Sequence, residues 1–586
     1  MAVAGGDGGG RVGVVERRGR FMVVEPFFEP GRRITLDHRR RRDVREGELV
    51  LVRFARTGRA QLVRSLGRPD VPRDVIEALL VDRGHARSFP KRVDQEAASS
   101  AKRPRDDAGA RRDLTSLATF TIDPASARDF DDAISVERDG DGLRLYVHIA
   151  DVAAFVPAGS AADGEAESRG NSVYVPGSVE PMLPAVLSSD ACSLVPGAPR
   201  PTVTVEMSVR GDGGVAKASF YRSLIRSDVR FTYEEVDRLF TGPDRAPAPV
   251  AESLALARAL ADDLARTRLA RGALAVETSE PEFEFDERGH VIRARDVVQT
   301  EAHRLIEQLM ISANERVAER LQAARRPTVY RVHEQPDPAA IEQLVDRLES
   351  LEVPTPPVPV NLTPRAAGKL AGDISRRLAE YLAATGRRGD ALVSLVLRSL
   401  KQAIYSPRNI GHAGLASAAY CHFTSPIRRY PDLCVHRALL GGAGQDEYSP
   451  PAHELDHIAA HSTATEREAM TLERDADDIC FAFLVERELT VSGWDRRFEG
   501  EVTGVIGSGA FVSFTGVEGG AACEGFLPVR RVGGDWYDLN EEQTALVGRE
   551  TGRTLRLGDP VDVVVRGVEP ARGRIDLEPA PPSAAP

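Results

Sequence analysis

Phe120-Thr-Ile-Asp-Pro-Ala-Ser-Ala-Arg-Asp-Phe-Asp-Asp-Ala133 places four carboxylates, Asp123, Asp129, Asp131 and Asp132, within ten residues. The apolar run before them, Leu117 to Ile122, reads as a strand. In extended chain, residues two apart share a side, so Asp129 and Asp131 are expected to converge while Asp132 faces elsewhere. A turn at Pro124 brings Asp123 back towards them. Carboxylates this close repel one another and shift towards protonation unless a cation neutralises them. Hard divalent cations take oxygen ligands, so magnesium or manganese suits such a set. The plain alternative is a solvated acidic loop or a lone calcium turn. Spacing alone does not choose between them.

The wider composition narrows the field. The chain has 586 residues, 42% hydrophobic and 28% charged, ordinary for a soluble globular protein with room for three or four domains. No run approaches the roughly 20 apolar residues of a membrane span. The first residues lack a signal-peptide core, so no membrane association is expected. Five cysteines (Cys192, Cys421, Cys434, Cys480 and Cys523) are scattered and odd in number. That fits neither a disulfide framework nor a CxxC zinc site and points to a reducing, cytoplasmic setting. The net charge of -11 would argue against nucleic acid if it were evenly spread. Between Arg11 and Arg68, however, 16 arginines face 7 acidic residues, with Arg39-Arg40-Arg41-Arg42 among them. A local basic patch is what binds phosphates; its alternative is a solvated face.

In chain order, residues 1–10 are Gly-rich and expected to be disordered. Short alternating strands follow at Arg20-Phe-Met-Val-Val24, Arg33-Ile-Thr-Leu36, Glu48-Leu-Val-Leu-Val-Arg53 and Ala60-Gln-Leu-Val63, the pattern of a small OB or cold-shock-type barrel. Residues 70–98 turn helical, and the polar, breaker-rich stretch 99–112 reads as a linker. After the acidic stretch, Leu143 to Val152 alternates as a strand that would carry His148 and Asp151 towards the same region; the plainer reading makes both structural. In residues 301–323, Leu305, Leu309 and Ala313, with Ile306, Met310 and Val317, follow helical spacing with one side buried. Ala391 to Tyr405 reads as a fully buried helix. Ser425-Pro-Ile-Arg-Arg-Tyr430 is expected to open another, with Pro426 in its first turn. Arg428 and Arg429 would then hold phosphate at a helix N-terminus, against a plain surface salt bridge. His453, His457 and His461 are helically spaced, but no other ligand pattern accompanies them and no metal is assigned there. The chain closes on Pro-Ala-Pro-Pro-Ser-Ala-Ala-Pro586, expected to be disordered.

Several of these stretches together carry a resemblance. They are Ile122 to Ala133, Val147-His-Ile-Ala-Asp-Val152, Arg169-Gly-Asn-Ser-Val-Tyr-Val-Pro176, Met182-Leu-Pro184, Ala191-Cys-Ser-Leu194, Arg230-Phe-Thr-Tyr-Glu-Glu235 and Glu301 to Glu315. Tyr420-Cys-His-Phe-Thr-Ser-Pro-Ile-Arg-Arg-Tyr-Pro-Asp-Leu433, with His436-Arg437, is the most specific. In this order, over residues 113 to about 490, they closely resemble the ribonuclease II/ribonuclease R family of exoribonucleases. Gly500 to Phe514, Glu524-Gly-Phe-Leu527 and Gly558 to Val565 resemble the ribosomal-protein-type OB domain that binds RNA.

The resemblance implies an α+β multidomain protein: an OB-like domain at 1–68, a helical segment and linker at 69–112, a mixed α/β catalytic domain at 113–490 and an RNA-binding OB barrel at 497–580. It implies processive 3′→5′ hydrolysis of single-stranded RNA to nucleoside 5′-monophosphates by a monomer using magnesium or manganese, with two ions about 4 Å apart. Asp123, Asp129 and Asp132 would ligate metal, Asp131 would be indispensable to the chemistry, and Arg428 would balance charge on the scissile phosphate. Tyr233 would stack near the RNA 3′ end and help set the shortest product, with Glu473, in Leu472-Glu-Arg-Asp475, close by and Arg429 on the strand. Phe511 and Phe514 would stack bases on the barrel, or else form its core. Relatives that digest through duplexes have two N-terminal barrels and a lysine-rich tail, so pausing before a stable hairpin is expected here. The family pattern is broken at Gly411-His-Ala-Gly-Leu415, where relatives have Phe for Ala413, and at Pro199-Arg-Pro201. The competing reading is a catalytically inactive RNA-binding protein of the same fold. A DNA phosphodiesterase would share the metal logic without these motifs.

Overall fold

The computed structural model describes residues 10–37, 44–54, 59–102, 111–275, 279–442 and 450–581. The run Arg39–Arg42, residues 1–9, most of the linker and the final Pro/Ala segment lie outside the described residues.

The first barrel is built from Gly10–Arg18, Phe21–Pro26, Ile34–Thr35, Leu49–Phe54 and Ala60–Gly67. In space the order is third, second, first, fourth, fifth, and a parallel bridge from Leu36 to Ala60 joins the two edges. The expected barrel is present, but its central strand, Gly10–Arg18, begins inside the stretch read as disordered. Its glycines serve packing: a Cβ on Gly13 would stand 2.5 Å from the Glu25 carbonyl oxygen. Leu49-Val-Leu-Val52 is buried on both faces. Val50 and Val52 point into the barrel with Val15 and Val24, while Leu49 and Leu51 pack with Val75, Ile76 and Leu79 of the helix Pro72–Asp82.

The central domain is a seven-stranded sheet in the order Val229–Thr232, Phe120–Asp123, Asp132–Asp139, Gly142–Ala150, Pro199–Val209, Val215–Arg226, Arg112–Asp113. One face packs Ile122, Ile134, Val147 and Val205 against the helices Ala251–Ala270 and Glu301–Ala323. The second helix has the bounds its periodicity predicts, with Leu305, Leu309, Ala313 and Val317 inside. Across the sheet runs a ladder of buried hydrogen bonds, Thr119–Ser135–His148–Thr204–Ser223. His148 is a rung of it, and burial pushes its pKa down to about 3. Asp151 is likewise enclosed, bonded to Arg111 and Arg222.

Two helices differ from expectation. The run from Ala391 to Tyr405 is a helix only over Asp390–Arg398, with Leu397 41% exposed. Beyond it Ile404–Ser406 is extended because it pairs with Tyr330–Val332. Ser425 to Arg429 forms a turn, and the helix starts at Tyr430 and runs to Gly442. Asp432 accepts the Ser425 N–H at 2.8 Å, which folds the segment back before the helix begins. It is then held against the chain by Tyr430 N–H to the Gly170 carbonyl and Ser172 N–H to that of Arg428.

A 41-residue helix, Ala452–Ser492, runs about 60 Å at the usual rise. Its middle turns place Leu472, Ala476 and Ile479 in one core with Val502, Val512 and Leu577 of the C-terminal barrel. That barrel is closed by Arg497–Ile506, Gly509–Phe514, Cys523–Pro528, Arg574–Pro579 and Pro560–Glu569. Phe511 and Phe514 are three apart in a strand and so face opposite ways. Phe514 is 0% exposed with its ring 5.2 Å from Phe498. It is barrel core and presents nothing to a base. Phe511 is half-buried beside Phe526. Phe514→Ala should therefore destabilise the C-terminal barrel by about 3–5 kcal/mol, seen as a lower denaturant midpoint, while Phe511→Ala leaves that midpoint nearly unchanged.

Candidate active site

Asp123 ends one strand and Asp132 begins the next, and these strands pair antiparallel at Phe120 and Ile134. Residues 124–131 between them form an irregular loop, so strict alternation does not govern where the aspartates point. The loop turns where Ala127 N–H bonds the Pro124 carbonyl. Ser193 Oγ accepts the Phe130 N–H at 3.0 Å and donates to the Arg128 carbonyl at 2.8 Å. Leu194 N–H bonds the Phe130 carbonyl, and Ala150 N–H that of Asp131. Arg200 donates to the Ser193 carbonyl at 2.9 Å, so it has a place in this support despite its proline neighbours. Arg230 joins the two ends of the loop: its guanidinium donates to the Pro124 carbonyl at 2.5 Å and lies over the Phe130 ring at 5.3 Å.

The four carboxylates share one field. Asp131 is 4% exposed; its Oδ1 accepts the Ile427 N–H at 2.9 Å, and its Oδ2 faces Arg428 Nε at 3.7 Å. Burial holds its pKa well above the usual carboxylate range, opposed by Arg428 and the Ile427 N–H. Burial and the charge of Asp132 push Asp123 up to about 7, with Arg230 pulling the other way. Burial lifts Asp132 to about 6 against Arg428 and Arg429. Asp132 thus lies close enough to Asp123 for its charge to be felt there. Asp129 accepts the Tyr174 hydroxyl at 2.9 Å, and the Tyr174 N–H bonds Glu473 Oε1 at 3.0 Å.

Two observations bear on whether a cation fits. Asp123 Oδ2 and Asp131 Oδ2 are buried without a hydrogen-bond partner, the state of oxygens suited to a positive ligand. Among the described residues, no three His, Cys, Asp or Glu side chains already form a cage able to hold an ion unaided. Magnesium needs no such cage, since it keeps several waters and binds through one or two carboxylates plus substrate phosphates. The two buried, unpartnered carboxylate oxygens suit a divalent cation bound in that way.

Tyr233 opens the helix Tyr233–Thr241, whose start is fixed by reciprocal Thr232 and Glu235 bonds. Thr232 pairs with Asp123 across parallel strands, so Tyr233 lies beside the carboxylates. Burial and the charges of Asp132 and Asp123 keep its phenol protonated. Arg428 is half exposed and touches Ser425 Oγ at 3.2 Å. Arg429 instead gives both arms of its fork to Asp432, at 2.7 and 2.9 Å. The structure thus gathers Asp123, Asp129, Asp131, Asp132, Arg428 and Tyr233, with Glu473 joined through Tyr174. Phe511 and Phe514 belong to the C-terminal barrel. Of the three helical histidines, His461 donates to the Glu167 carbonyl and stacks with His457, while the side chains of His453 and His457 are exposed beside Glu454 and Glu167.

A family model of the RNB domain matches residues 111–441, and one of the S1 RNA binding domain matches residues 494–578. The chain belongs to the RNB family. It is 34% identical over 559 residues to ribonuclease R of Aquifex aeolicus, covering 93% of this chain and 77% of that one. It is 37% identical over 534 residues to ribonuclease R of Thermotoga maritima, covering 88% and 72%. Among solved structures, Mycoplasma genitalium RNase R in complex with ribose methylated single-stranded RNA superposes with a TM-score of 0.83 at 26% identity, covering 99% of this chain and 91% of that one. Yeast Ssd1, a pseudonuclease, shares the fold with a TM-score of 0.66 at 17% identity, covering 93% and 68%.

Tyr174, Ser193 and Arg230 were not singled out as site residues in the sequence, although each lies in a segment that carries the family resemblance. Arg230→Met should loosen the aspartate loop and lower kcat on single-stranded RNA by about 10–100-fold, with KM little changed in steady-state assays. A parallel rise in KM would mean that Arg230 grips RNA instead.

Proposed function

We propose that this chain is a processive 3′→5′ hydrolytic exoribonuclease that degrades single-stranded RNA to nucleoside 5′-monophosphates. The observation that carries this reading is the buried four-aspartate loop with Arg428 at its mouth. The family is one of metal-dependent nucleases; here Asp123, Asp129 and Asp132 would hold the cation, magnesium with manganese as substitute, which when bound supplies charge neutralisation and an activated water. Asp131 is fixed at Oδ1 by the Ile427 N–H, leaving Oδ2 to accept a hydrogen bond from the attacking water and orient it. Arg428, held near Asp131, neutralises charge on the scissile phosphate. Tyr233 packs on the 3′-terminal nucleotide, and Tyr174, 38% exposed and bonded to Asp129, lines the same end. Glu473 holds the Tyr174 backbone. We assign Arg429 to the turn that presents Arg428, since its fork is already taken. Phe511 offers a face for a base on the S1 barrel.

Among the described residues no helix is long and apolar enough to cross a membrane, and the five cysteines are free and buried. A reducing, cytoplasmic setting fits these features. The inactive alternative has a precedent in the Ssd1 fold, but it is disfavoured because this chain keeps all four aspartates and Arg428.

Asp131→Asn tests the reading. Hydrolysis of single-stranded RNA should be abolished while binding by filter retention stays near wild type, because the groups that grip the strand lie elsewhere. Retention of most of the wild-type turnover would contradict the role given to Asp131.

A further inference from the structure

Tyr174 reaches the aspartate loop from a hairpin too small to hold itself. Its strands, Val173–Val175 and Ser178–Glu180, are three residues each and pair with one another in a separate two-stranded sheet. A ribbon of this size is not stable alone. Alternation divides the first strand: Val173 and Val175 are buried, while Tyr174 between them is 38% exposed and gives its hydroxyl to Asp129 at 2.9 Å. The long helix holds that strand through Glu473, which accepts the Tyr174 N–H. The returning strand is held from the other side.

That second support is Arg87, in the segment that follows the helix Pro72–Asp82. Its guanidinium donates to Ser178 Oγ at 2.7 Å, to the Glu180 carboxylate and to Glu77 Oε2 at 2.8 Å. Glu77 lies on the helix whose Val75, Ile76 and Leu79 pack on the N-terminal barrel. Arg169 also bonds the Glu180 carboxylate, donates to the Ala86 and Ser88 carbonyls at 3.3 and 3.2 Å, and lies 3.9 Å from the Phe89 ring centroid. The backbone on both sides of Arg87 is therefore tied as well. Glu180 is 5% exposed and pairs with Val173, next to Tyr174. A buried ion network adds little stability over an apolar pack. What this one supplies is direction, since a planar fork shared among three partners fixes where each of them lies.

We infer that Arg87 is a positioning residue that hangs the Tyr174 hairpin from the N-terminal domain and thereby fixes the Tyr174 ring beside the aspartate loop. The inference rests on the proposed placement of Tyr174 at the RNA 3′ end. A ring already held in place costs the strand less ordering on arrival, so the grip at the site is tighter. Without Arg87 the hairpin keeps its tie to Glu473 but loses its tie to the barrel helix. Tyr174 then moves about the remaining tie. A shortened RNA, left with only the contacts near the loop, is released at greater length.

The test uses full-length wild type, Arg87→Met, Tyr174→Ala and the double variant, with Arg87→Lys as the milder change. Lysine keeps a charge against Glu180 but cannot hold Ser178 and Glu77 as well, so it gives the same direction if the Met variant folds poorly. Each protein digests 5′-labelled single-stranded RNA to completion, and KM, kcat and melting temperature are measured separately. Arg87→Met should lengthen the limit product as Tyr174→Ala does and raise KM by about 3–10-fold, the scale of one side chain left to be ordered on binding, with kcat nearly unchanged. The double variant should be no worse than Tyr174→Ala, because both act through one ring. If Tyr174→Ala changes the product and neither Arg87 variant does, the inference fails and the placement of Tyr174 stands. An unchanged product with Tyr174→Ala overturns both. If the effects of Arg87→Met and Tyr174→Ala simply add, or Arg87→Met lowers kcat and the melting temperature together without changing the product, Arg87 is merely structural and the inference is refuted.

Discussion

Removing a carboxylate from water costs several kcal/mol unless a partner offsets it, and this protein places Asp123 and Asp131 at 8% and 4% exposure within one loop. Much of the surrounding structure answers that cost. Asp131 receives one backbone N–H and faces one guanidinium, and Asp123 feels Arg230. Neither supply satisfies the two buried Oδ2 atoms. The loop is thus held rigid yet left short of positive charge, which is the condition for binding a cation and a phosphate together. Such preorganisation is what a phosphodiester hydrolase needs, since its catalysis rests on fixed charges aimed at the developing ones.

The supports come from distant parts of the chain. Ser193 and Leu194 brace the loop from one segment, Arg230 spans its ends from a second, and Ile427 and Arg428 cap it from a third. The third segment is ordered in turn by Asp432, whose carboxylate holds both the Ser425 N–H and the Arg429 fork. Arg429 and Arg428 are adjacent in sequence and differ in role for this reason: one is committed to the turn, and the other is left at its mouth. At the other end, the helix Ala452–Ser492 carries Glu473 to the Tyr174 backbone and continues into the core shared with the S1 barrel. One rigid element therefore links the RNA-binding barrel to the aspartate loop.

Much of this was legible in the sequence where the signal is local. The helix Glu301–Ala323 appears with its predicted bounds because its buried face repeats at helical spacing over six turns, and the four aspartates announce themselves by density. Where long-range pairing decides, the sequence misled. Ala391 to Tyr405 is apolar enough for one helix, but Ile404–Ser406 is claimed by Tyr330–Val332. The strand Gly10–Arg18 was not among those the sequence suggested, and only Gly10 of it falls in the stretch read as disordered; within it Gly13 is what lets Glu25 approach. Pro426 suggested a helix start that the Asp432 side chain postpones to Tyr430. Phe511 and Phe514 looked like a pair until strand geometry put one of them in the core. The contacts of Arg230 with Pro124 and of Arg87 with Ser178 cross wide sequence separations, and no local pattern encodes them.

The most direct test of the central claim, that a cation-dependent aspartate loop consumes RNA from its 3′ end, is a time course on 5′-labelled single-stranded RNA with magnesium or with a chelator. The account predicts a ladder that shortens stepwise from the 3′ end to a short limit product in magnesium, and intact RNA in the chelator. Internal fragments appearing before the ladder, or equal digestion under chelation, would contradict it.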